Sequence, residues 1–201
     1  QGNTVTQSTS LGTAKATAGG STTTLSPIAT NEAKGFYSSL SGSNCNTSYS
    51  STDSSSWTQV GGGSGGSCLT GYVDFDLSSV PSGATISSAK IVHIQGSSGG
   101  SGFQPTAQLV ELANDPTGNS DSDTWTDIWA GSDIGTAFDS TVAGEIDVTA
   151  SVQSALSTGS WYAGVKPVET GNHSTSYWNT GNTNGMTLNI ELSSPHTVPT
   201  Y

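Results

Sequence analysis

Two carboxylates come nearest to a reacting geometry. Asp74 and Asp76 alternate with Val73, Phe75 and Leu77 in GYVDFDL, so on a strand both project from one face about 7 Å apart. Inverting glycosidases hold their acid and base roughly 6.5–9.5 Å apart. That chemistry also needs a cleft and unlike surroundings, so that one group keeps its proton. Two aspartates side by side on a strand are read instead as a solvated or hydrogen-bonded face. His93, His173 and His196 have neither HxH nor HExxH spacing and read as polar strand or surface residues. No GxSxG occurs, and the many serines lack an identifiable base. The expectation is a protein that is not an enzyme and has no cofactor.

Two other sets could bind rather than react. Asn119, Asp121, Asp123 and Asp127, with Asp115 upstream, make an oxygen-rich segment read as a loop; structural Ca²⁺ held by Asp121, Asp123 and Asp127 is the metal candidate. The EF-hand pattern fails there, with Thr124 in the glycine position and Ala130 in place of the bidentate glutamate. Indole faces offer flat apolar platforms for sugar rings, and Trp57, Trp125, Trp129 and Trp178 lie near predicted loops. Trp161, beside Tyr162 in an alternating run, reads as core.

Composition bounds the rest. The 201 residues carry four basic groups, all lysine, against 15 acidic ones, a net charge of −11. With no guanidinium to grip phosphate, nucleic acid is not an expected partner. Serine and threonine make up about a third of the chain, far above ordinary usage. Cys45 and Cys68 bracket a Ser/Gly-rich stretch without CxxC spacing, so one disulfide in an oxidising compartment is predicted. Closing that loop stabilises by roughly 3 kcal/mol on the chain-entropy account. Asn46 and Asn172 head glycosylation sequons. No apolar run is long enough to span a bilayer, and a start at Gln1 matches a cleaved signal peptide. The expected location is secreted, at the cell surface.

The elements that must position these residues read as short strands. Gly71 to Ile94 (GYVDFDLSSVPSGATISSAKIVHI) gives two apolar runs around a Pro81-Ser82-Gly83 turn and is the predicted sheet centre. Strands are also predicted within Thr22 to Tyr37, which carries Leu25, Ile28, Phe36 and Tyr37, and at Trp57–Val60, Phe103–Leu112, Trp161–Val168, Ser174–Trp178 and Met186–Leu192. Ser38–Ser56 reads as a polar loop, the GGGSGGS after Val60 as flexible, and Gly96–Gly102 as a hairpin loop. One short helix is predicted after Ile146, capped by Asp147 or Thr149 and ended by Gly159. The sum is an all-β antiparallel sandwich of jelly-roll type with one short helix. It is organised as an N-terminal extension (1–24), one domain (25–194) and a tail (195–201).

The order of landmarks resembles the DNRLRE-type carbohydrate-binding modules, which are secreted β-sandwiches. The resemblance rests on GYVDFDLSSVPSGATISSAKI, on Asp123-Thr124-Trp125, on IDVTASVQSAL and on a closing strand at Met186–Leu192. It covers roughly Leu25 to Leu192, and it implies polysaccharide binding through loop tryptophans. The N-terminal extension, the long Ser/Gly loop and the lack of arginine depart from that family.

In the extension, Val5 and Leu11 fall on one parity, and Ala14, Ala16 and Ala18 alternate with small polar residues. So plain a tail buries too little apolar surface to order by itself, and it is expected to pack on its own body or on a neighbouring copy. The favoured expectation is a homopolymer: an extracellular subunit whose N-terminal strand fills an edge or groove of the next copy, head to tail. Polysaccharide binding is the alternative.

Overall fold

The computed structural model describes residues 22–26, 35–39, 51–53, 57–63, 67–93, 97–99, 106–168, 175–179 and 185–193; at 35–39, 51–53, 57–59, 62–63, 67–68, 97–99 and 175–179 the backbone alone is described. In chain order the strands are β1 (Thr22–Leu25), β2 (Gly35–Ser39), β3 (Ser51–Asp53), β4 (Trp57–Gly63), β5 (Ser67–Asp76), β6 (Ile86–His93), β7 (Ser97–Gly99) and β8 (Thr106–Glu111). Helix α1 (Asp121–Ala130) follows, then β9 (Asp133–Asp139), β10 (Gly144–Asp147), α2 (Thr149–Ala155), β11 (Ser160–Pro167), β12 (Thr175–Asn179) and β13 (Met186–Leu192).

These strands form an antiparallel β-sandwich, as predicted. One sheet runs β1-β13-β6-β10; the other runs β7-β12-β4-β5-β11-β8-β9, with β2 and β3 branching from β5. Gly71 to Ile94 does occupy sheet interiors, but of two different sheets. β5 pairs with β11, β4 and β2, whereas β6 pairs with β13 and β10. The Pro81-Ser82-Gly83 turn therefore carries the chain across the sandwich instead of folding a hairpin. Its apolar residues Val73, Phe75, Ala89 and Ile91 meet in the core from opposite walls.

Several predicted loops are sheet. Gly61, Gly62 and Gly63 extend β4 by pairing with Leu69, Cys68 and Ser67. Ser97–Gly99 pairs with β12, and Ser51–Asp53 with β2. Partner strands supply the ladder bonds that local propensity would not have secured.

Residues 149–155 form the predicted helix, although its cap differs. Val148 occupies the N-cap without a side-chain bond. Asp147 Oδ1 instead accepts from Thr149 N (2.9 Å) and Thr149 Oγ1 (2.7 Å). Thr149 Oγ1 in turn accepts from Ala89 N at 2.9 Å. Gln153 Oε1 accepts from Ile86 N at 2.7 Å, so α2 is fastened along β6 by polar side chains as well as by Val152. The same Asp-x-Ser/Thr turn recurs at Asp76, Asp115 and Asp139, each carboxylate accepting from the backbone N–H two residues on. Bonds from Thr149 hold the Asp147 carboxyl below its ordinary range, those from Thr141 do so for Asp139, and those from Ser78 for Asp76.

Candidate functional site

Helix α1 differs from the expectation: residues 114–127 read as an acid-rich loop, with Ca²⁺ a candidate occupant, whereas 121–130 are helical. The reason it folds is local. Ser120 is the N-cap; its Oγ accepts from Asp123 N at 3.2 Å and donates to Asp123 Oδ2 at 2.6 Å. Asp121 and Asp123 then lie in the first turn, where the helix dipole favours negative charge. Thr124, Trp125 and Ile128 form the buried face.

That face lies on the outside of the larger sheet, over β11 and β5. Trp125 and Ile128 pack there with Tyr72, Val110 and Leu112, a second apolar cluster on the opposite face of the sheet from the main core. Two glycines allow the close approach. A Cβ on Gly164 would come within 2.8 Å of Val110 Cγ2 and 2.9 Å of Ile128 Cγ1, and one on Gly131 would overlap the Glu111 carbonyl oxygen.

Covering this face changes what the paired aspartates are. Asp74 and Asp76 share a strand parity as predicted, yet Asp74 is 5 % exposed while Asp76 is open to solvent. Asp74 stands opposite Tyr162 in the β5/β11 register, with Tyr72 on the same face two residues earlier. Its Oδ1 is buried with no hydrogen-bond partner, as is Thr70 Oγ1 further along that face. Burial, then the charges of Asp115 and Asp76, push the Asp74 carboxyl up to about 6, against the pull of the Phe75 backbone N–H. Burial and the neighbouring carboxylates Asp74, Asp121 and Asp115 push the Tyr72 phenol up to about 12. Tyr162 is raised by burial and by Asp115, Asp74 and Asp127. The expectation of a plain solvated pair is thus corrected, because a helix shields one member.

Beside the helix, Asn114, Asn119, Asp123, Thr126, Asp127 and Ala130 line a cleft of about 360 Å³. Asp127 Oδ2 accepts from Asn114 N at 3.0 Å, and Asp115 Oδ1 from Thr117 Oγ1 at 2.7 Å. The proposed Ca²⁺ ligands do not converge. Among the described residues no three His, Cys, Asp or Glu side chains are grouped to hold a metal ion. Asp123 is turned to the cap and Asp127 to Asn114.

The tryptophans also divide. Trp125 is 3 % exposed and belongs to the second cluster, so it is no platform; Trp129 is half-buried against it, with ring centroids 5.7 Å from Trp125. Trp161 is core, as predicted. Trp57 pairs with Asn179 and Trp178 with Thr58, on opposite parities of the β4/β12 ladder, and their side chains lie outside the described residues. Outside them too lie the Cys45–Cys68 pairing, Asn46 and Asn172, and the candidate donor residues Val5, Leu11, Ala14, Ala16 and Ala18.

Fold and site together define an all-β sandwich with a helical cap on one outer face. No family model matches the sequence, and a search of curated proteins finds no significant relative. Among the described residues no helix is long and apolar enough to cross a membrane.

Proposed function

We propose that this chain is an extracellular structural subunit that polymerises by strand addition through its N-terminal segment. The supporting observation is the position of β1. It follows residues 1–21 directly, lies at the edge of the smaller sheet, and among the described residues pairs only with β13, from Thr22↔Glu191 to Leu25↔Leu188. Its other edge presents main-chain N–H and C=O groups, the groups that an added strand would use. A segment from one copy laid on an edge of the next makes a head-to-tail contact that does not close, and so extends into a filament. The hydroxyl-rich, weakly charged composition suits a surface polymer. Deleting residues 1–20 is expected to leave a folded monomer by circular dichroism that forms no filaments by electron microscopy. Long fibres from the truncated chain would overturn the reading.

A second reading, polysaccharide binding, is favoured by the cleft beside α1, whose amides, carboxylates and hydroxyl suit sugar hydroxyls. This reading also keeps the resemblance to DNRLRE-type modules. It predicts retention in a polysaccharide affinity gel that Asn119→Ala reduces several-fold. No retention on any of a broad set of glycans would exclude it.

A further inference from the structure

The helical cap sits on a buried acid that the sandwich does not need. We propose that α1 is a proton-controlled cap, docked on the sheet while Asp74 is neutral and loosened when Asp74 ionises, uncovering the Tyr72 face. The geometry has three parts. Asp74 is buried between sheet and cap with one carboxyl oxygen unpartnered, so its charge has poor compensation while α1 is docked. The cap's apolar contacts form a cluster of their own, Tyr72, Val110, Leu112, Trp125 and Ile128, on the far side of the sheet from the main core. Lifting α1 therefore opens a small local unit and leaves the sandwich packed.

The groups around Asp74 are almost all acids or phenols. Tyr72 and Asp76 are on its own strand, Tyr162 is opposite on β11, and Asp115 comes from the β8–α1 connection. From α1 itself, Asp121 acts on Tyr72 and Asp127 on Tyr162. β3, also packed on α1, carries Asp53, whose side chain is outside the described set. Of the two described lysines, Lys90 pairs with Glu145 at 2.6 Å on the smaller sheet, and Lys166 sits at the far end of α1, where its Nζ donates to Gly131 O at 3.5 Å and stands 3.7 Å from Asp133; neither is among the charges that act on Asp74. An Asp74 carboxylate thus meets the repulsion of Asp115 and Asp76 on top of its burial.

The sign follows from linkage. Burial, with the charges of Asp115 and Asp76, raises the Asp74 pKa from 3.8 to about 6, and the burial is what the docked cap adds, so the docked form holds the proton more tightly than the open one. The stabilisation is fully present below pH ~4 and is lost as pH rises through about 6. A shift of that size raises the opening equilibrium by at most on the order of a hundredfold across the window.

Hydrogen exchange of the full chain, corrected for intrinsic rates, tests this. Amides of 121–130 are expected to lose roughly ten- to twentyfold of their protection between pH 4.5 and 7.5, while 149–155 in α2 keep theirs. Asp74→Asn should hold 121–130 protected at both pH values. If that variant does not fold, Asp115→Asn must move the transition to lower pH, because it removes a repelling charge. Equal protection of 121–130 at both pH values in the natural sequence would overturn the proposal. So would an Asp74→Asn protein that keeps the pH difference, or an Asp115→Asn transition that does not move.

Discussion

Replacing Trp161 by alanine is expected to lower the unfolding free energy by about 3–5 kcal/mol. The indole is 2 % exposed near the start of β11 and stacks on Phe75 of the neighbouring strand, with ring centroids 5.8 Å apart at 26°. Its Nε1 donates to Ser151 Oγ at 2.7 Å, which ties the larger sheet to α2. Alanine leaves a cavity between two sheets whose separation is fixed by the other strands, so the walls relax only in part. Trp161→Phe separates the two contributions: it keeps most of the packing and loses the bond to Ser151, for a loss of about 1–2 kcal/mol. Urea unfolding measures both, with the midpoint moving and the slope unchanged. A loss below 1 kcal/mol for the alanine variant would mean that the indole does not support the sandwich.

Gly131→Ala is expected to cost about 2–3 kcal/mol, and more if the chain cannot shift. Gly131 ends α1 with φ −63° and ψ 143°, a conformation open to any residue, so the cost is not one of backbone strain. It is steric. The added Cβ would overlap the Glu111 carbonyl, stand 3.0 Å from Val110 Cβ and 3.2 Å from the Asp127 carbonyl. Two of those three neighbours are backbone, which cannot rotate aside. The end of α1 must then lift from β8, where Glu111 N donates to Ser132 O at 2.8 Å. Gly83→Ala is the control. Its Cβ meets nothing within 4 Å, so thermal unfolding should show that variant equal to or slightly above the natural sequence, by up to about 1 kcal/mol. If Gly131→Ala unfolds at the natural midpoint, α1 does not approach β8 this closely.

Strict alternation was the most legible signal. Met186–Leu192 has the predicted bounds, and Trp161 falls in the core because β11 alternates. β9 and β10 were missed for a matching reason. β9 buries only Ile134 and Phe138, four residues apart, so it carries no two-residue period. The sequence did contain a signal for α1, the Ser120-x-x-Asp123 cap followed by Thr124 and Ile128 at helical spacing. Its carboxylates were read as ligands when their work is to cap and to meet the helix dipole.

By itself, the sequence determined that this chain folds as an antiparallel sandwich, because alternating apolar residues on short, turn-bounded strands can be buried only by facing sheets. The tertiary structure alone decided which strands share a sheet and what covers each outer face. A period of two separates the faces of a strand but does not say which element comes to lie on either one. Asp74 and Asp76 have the same residue type and the same parity. A helix about 45 residues further along the chain made one a buried acid with a raised pKa and left the other in water.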